Sequence, residues 1–77
     1  MPRYFFNVHD SRDIPDEDGI VFPGPDAARE QAVIAAGEML KDLDGGVWGV
    51  PEWRMVVTDE QGATVGTLSI KGSMGEA

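Results

Sequence analysis

The stretch from Asp26 to about Leu43 constrains the fold of this 77-residue chain more than any other segment. Within it, Ala28, Ala32, Ala35, Ala36, Met39, Leu40 and Leu43 recur at three- and four-residue spacings. On a period of about 3.6 residues they make one apolar stripe, which predicts an amphipathic helix. Pro25 suits the first turn, and Asp26 with Glu30 sets negative charge at the positive end of the helix dipole. Gly45-Gly46 supplies a stop, and Gly37 falls opposite the stripe, where it only weakens the helix slightly. A stripe built so largely of alanine lets a helix sit close to a flat surface, and the segments on either side read as that surface.

Before the helix, Arg3 to His9 is rich in aromatic and β-favouring residues and predicts a first strand. Asp10 to Gly19 reads as an acidic loop containing Pro and Gly. Ile20 to Phe22 reads as a short second strand, stopped by Pro23-Gly24-Pro25. After the helix, Val47 to Glu52 reads as a loop, Trp53 to Asp59 as a third strand and Thr64 to Ile70 as a fourth. Asp59-Glu60-Gln61-Gly62 suits a type I turn closed by a left-handed Gly with a bulge. Asp16-Glu17-Asp18-Gly19 has the same pattern, a shared turn solution rather than an internal duplication.

The expected fold is therefore α+β, in the order ββαββ, with a four-stranded antiparallel sheet and one helix across one face. Strands one and three carry apolar residues on both parities, so both should be central. That gives the order 2-1-3-4, joined by a right-handed crossover. Residues 1–70 form one expected domain and 71–77 a frayed tail.

Without cysteine there is no disulfide or thiolate chemistry, so apolar packing must hold the fold. Six basic against fourteen acidic residues leave a net charge of −8. That charge argues against a nucleic-acid surface, which needs clustered Lys and Arg, and against an anionic membrane face. The early apolar run Tyr4-Phe5-Phe6 is too short for a secretory signal, so a cytoplasmic chain is expected.

No catalytic, cofactor-binding or metal-binding residue is assigned. Asp16, Asp18 and Gly19 match three positions of a calcium-binding EF-hand loop, but Ile14 and Pro25 occupy its first and last ligand positions and cannot coordinate through side-chain oxygen. A looser cation site would have to use Asp10, Asp13, Asp16 and Asp18. His9 is the single histidine, and Asp10 beside it would point to the opposite sheet face, so His9 reads as a surface residue. Gly72-Ser73-Met74-Gly75 lacks the first Gly of a nucleophile elbow. Trp53 opens a strand and reads as core, whereas Trp48 is either a lid on the core or an anchor for a partner.

Side chains alternate along a strand, so Tyr4, Phe6, Val8, Trp53, Met55 and Val57 should share the helix-covered face. Phe5, Asn7, Arg54, Val56 and Thr58 are then left on an open face. A homodimer through that face or a neighbouring strand edge is expected, since a chain this small gains from extra burial.

Met1-Pro2-Arg3-Tyr4-Phe5-Phe6, Ile14-Pro15-Asp16 followed by Gly19, the Ala-rich helix, and Trp53-Arg54 leading to Asp59-Glu60-Gln61-Gly62 resemble a set of small bacterial proteins of unknown function. The resemblance spans nearly the whole chain and implies a stand-alone domain with no assigned chemistry. Such proteins often carry His where this chain has Asn7, and the Val47 to Pro51 loop departs from their pattern. The acidic turn, short strand, Pro stop and Ala-rich helix are also similar to HicB-like antitoxins, without their Gly-Cys signature. Together these readings point to a non-enzymatic interaction or regulatory module whose partner is another protein or itself. Alternatives are a cation or small-ligand binder using the acidic loop, an enzyme assembled across subunits, and a HicB-like antitoxin.

Overall fold

The computed structural model describes residues 1–10, 12–42, 48, 52–73 and 75. The helix, α1, runs from Pro25 to Asp42, with Asp26 in its first turn and Lys41 in its last. Leu43 and the Gly45-Gly46 stop lie outside the described residues. At its start the Gly24 carbonyl accepts the Ala28 N–H at 3.3 Å, and Pro25 has no N–H to leave unsatisfied.

Around α1 the strands are β1 (Arg3–His9), β2 (Asp13–Ile14), β3 (Ile20–Val21), β4 (Trp53–Thr58) and β5 (Thr64–Ile70). All pairings are antiparallel. The path is β2-β1-β4-β5, with β3 also paired to β1. The predicted class and central strands hold, since β1 and β4 each have neighbours on both edges. The strand count does not. Asp10 to Gly19, expected as a loop throughout, contains the two-residue strand β2, which pairs Val8 with Ile14 and His9 with Asp13. Two residues are too few to show the alternation that marks a strand, and only the neighbouring β1 draws them into the sheet.

Tyr4, Phe6, Val8, Trp53, Met55 and Val57 are buried together with Ala28, Ala32 and Ala36 of the helix. Met55 and Val57 are at most 1% exposed, and burying a side chain of that size contributes about 1.5–3 kcal/mol. The helix donates methyl groups and the sheet donates bulk, so α1 lies close: a Cβ on Gly66 would come within 3.2 Å of the Arg29 side chain. Phe22, between β3 and α1, sets its ring 6.1 Å from that of Phe6 and 6.4 Å from that of Tyr4. Among the described residues no helix is long and apolar enough to cross a membrane.

Candidate functional site

The face of the sheet turned away from α1 is the surface that the sequence marked. Registers across β1, β4 and β5 arrange it in three rows: Phe5, Thr58 and Thr64; Asn7, Val56 and Thr67; His9, Arg54 and Ser69. The fold brings Phe5, Asn7, Arg54, Val56 and Thr58 together on it. Phe5, Asn7, Val56 and Thr58 are half-buried by their neighbours, whereas Arg54 is exposed. The Arg54 guanidinium lies 3.9 Å from the Glu52 carboxylate. Trp48 is not part of this face. It is 52% exposed, and its indole rests against Gly72, where a Cβ would come within 2.8 Å of the ring.

Asn7 is the best-connected side chain of the face. Its Nδ2 donates to the Val56 carbonyl at 3.1 Å and to Thr58 Oγ1 at 3.3 Å, and its Oδ1 accepts the Asp16 N–H at 3.0 Å. Asp16 answers from the edge. The strands β2 and β3 pair with opposite ends of β1, which leaves the middle of that edge without a partner strand. There Asp16 Oδ2 accepts the Phe6 N–H at 3.1 Å, while Oδ1 accepts the N–H groups of Asp18 and Gly19, both at 3.1 Å. One carboxylate thus stands in for the missing strand and closes its own turn. Burial works to raise the Asp16 pKa, but the bonds from Gly19, Phe6 and Asp18 outweigh it and hold the group below the ordinary aspartate value.

His9 has a partner that the sequence reading missed. Its Nδ1 lies 2.6 Å from Asp13 Oδ1, because the β1–β2 register sets the two residues opposite each other. The signal was the spacing of four residues, readable only once Asp13 is known to turn back as a strand. A His–Asp pair can orient an imidazole for proton transfer, yet the hydroxyl in its row, Ser69, lies two strands away, about 10 Å at the backbone. That is beyond hydrogen-bond reach.

The acidic loop does not gather its carboxylates. Asp16 is committed to three backbone N–H groups, Asp13 to His9, and Asp10 Oδ1 to the Arg12 N–H at 3.0 Å. Among the described residues no three His, Asp or Glu side chains converge as a metal site would require.

The fold and this polar, hydrogen-bonded face define a small two-layer α+β domain. Residues 3–71 match the family described as a domain of unknown function, DUF6894, and the chain belongs to that family. No curated protein and no solved structure matches the chain. The similarity to HicB-like antitoxins has no counterpart among these findings.

Proposed function

We propose that this protein is a non-enzymatic interaction module that pairs with a second copy of itself through the open face of its sheet. The observation that carries this reading is the charge on that face. The chain holds fourteen acidic residues, yet Arg3, Phe5, Asn7, His9, Arg54, Val56, Thr58, Thr64, Thr67 and Ser69, the outward positions of β1, β4 and β5, include none. Asp13, at the β2 margin, is held against His9 at 2.6 Å. Two copies of a −8 molecule repel each other through most of their surfaces, and this face is where they can approach at the least electrostatic cost. Phe5 and Val56 supply an apolar centre, and the surrounding hydroxyl and amide groups supply hydrogen bonds, as in the core and rim of an interface. The His9–Asp13 pair, which joins β1 to β2 with Ser69 beyond its reach, serves here as a structural contact.

Light scattering coupled to size exclusion at micromolar concentration is the direct test. A dimer mass is expected for the native chain and a monomer mass for Thr67→Glu, an exposed position beside Val56 where a new charge would add to the repulsion between two acidic copies. A native chain that remains a monomer overturns the proposal, as does a Thr67→Glu variant that stays dimeric.

A further inference from the structure

The two edges of the sheet are finished differently. On the outer side of β1 the ends are taken by β2 and β3, and the Asp16 carboxylate holds the Phe6 N–H between them. The opposite edge is β5, and among the described residues no strand pairs with its outer side. None of its seven residues is buried, whereas β4 beside it buries Trp53, Met55 and Val57. In an antiparallel ladder alternate residues turn their N–H and C=O away from the partner strand. Natural edges are guarded by a charge, a Pro or a bulge. Thr64–Ile70 carries no charge and no Pro, and its register shift lies at the hairpin end.

Near that end the Arg29 guanidinium, paired with Asp26, donates to the Val65 carbonyl at 3.0 Å. Residues 66–70 are left as the open length, close to that of an ordinary strand of about 5–6 residues. Beside them α1 and the sheet flank an apolar cavity lined by Ala32, Val33, Val57, Gly66 and Leu68 among others. Val33 stands at its rim, 61% exposed. The cavity measures about 230 Å³, more than the roughly 150 Å³ that admits a benzene molecule. One aliphatic side chain fits there. A strand lying about 4.8 Å beyond β5 would direct alternate side chains to this side of the sheet.

We propose that the β5 edge receives an extended segment of a partner protein, which adds a strand to the sheet and sets one aliphatic side chain in this cavity. A row of unpaired N–H and C=O groups is satisfied by another strand and by no other regular element. A second copy of β5 is the poorer occupant. Its Leu68 and Ile70 are packed against their own core, so it has no side chain to give the cavity, and a net charge of −8 opposes its approach. The site uses an edge and the helix side of the sheet, so this proposal and the dimer through the open face can fail separately.

The probe is a fluorescein-labelled seven-residue peptide of alternating valine and threonine with a lysine at each end, followed by fluorescence anisotropy. Saturable binding is expected, with amide shifts in NMR spectra along residues 66–70 and none along β1. N-methylation of one alternate set of peptide residues should weaken binding tenfold or more, and methylation of the other set should leave it within about twofold. Glycine in place of the central valine, or Val33→Asp in the protein, should also cost tenfold, with the melting temperature of Val33→Asp unchanged. Absence of saturable binding overturns the proposal, as do equal effects of the two methylation patterns or shifts centred on β1. Unchanged binding both of the glycine peptide and to a folded Val33→Asp overturns it too. A change in the native solution mass on Val33→Asp would assign the edge to a second copy and likewise overturn it.

Discussion

The two Asp-x-x-Gly turns carry nearly the same local code and have different duties. In both, the leading aspartate accepts the N–H two residues on, Asp18 for Asp16 and Gln61 for Asp59. In both, the closing glycine is left-handed, with φ of 69° at Gly19 and 83° at Gly62. The Asp59 turn is largely self-contained. Its Oδ1 also takes the Ala63 N–H at 2.9 Å, its carbonyl takes the Gly62 N–H, and one outside bond arrives, from the Arg3 N–H to Glu60 Oε1. The Asp16 turn is built into the sheet, through Phe6 and Asn7 of β1. A hairpin turn needs only to reverse the chain, whereas the Asp16 turn also completes an edge that two short strands leave open.

The glycines should separate the two turns most. A Cβ on Gly19 would come within 2.8 Å of the Tyr4 carbonyl oxygen and 2.9 Å of the Phe5 ring, while nothing lies within 4 Å of one on Gly62. Gly62→Ala should cost about 1 kcal/mol, the strain of a left-handed non-glycine residue. Gly19→Ala adds a clash with backbone and should cost about 3 kcal/mol or more. Chemical denaturation measures both, and equal losses would break the comparison.

The aspartates come next. Asp16→Ala leaves three N–H groups without their acceptor, one of them in the middle of β1, and should cost about 2–3 kcal/mol. Asp59→Ala exposes turn N–H groups to water and should cost about 1 kcal/mol. Amide hydrogen exchange sharpens the point: Phe6 should lose protection in Asp16→Ala and keep it in Asp59→Ala.

The smallest expected effect is on pH dependence. The pKa of Asp16 is lower in the folded chain than in the unfolded one, so the unfolded state binds its proton first as pH falls. The stabilisation is present above the ordinary aspartate pKa of about 3.9 and is lost as pH falls through the lower folded value. Stability of the native chain should fall more steeply below about pH 4 than that of Asp16→Asn. Parallel curves in that range would show that the carboxylate charge contributes nothing.

Much of this architecture was legible in the residues. The alanine spacing located the helix to within a residue or so over its described length, and the paired parities of Tyr4-Phe5-Phe6 and Met55-Val56-Val57 made β1 and β4 central. The Asp59 hairpin was readable because a turn with its left-handed Gly and bulge is a local solution. The open face was readable from alternation, though not its chemistry: Asn7 looked like an unassigned polar residue, and its three bonds reach chain as far as 51 residues away.

The sequence by itself determined the class of fold, the central strands, the buried face and the positions of the turns, because each depends on periodicity or on the backbone preferences of a few adjacent residues. Only the tertiary structure decided that Asp13-Ile14 is a strand, that Asp13 answers His9, and that Asp16 caps the middle of β1. It also decided that α1 packs mainly on β4 and β5. The first three arise only when the loop after β1 turns back on that strand, the last from packing between separate elements, and neither leaves a repeat in the order of the residues.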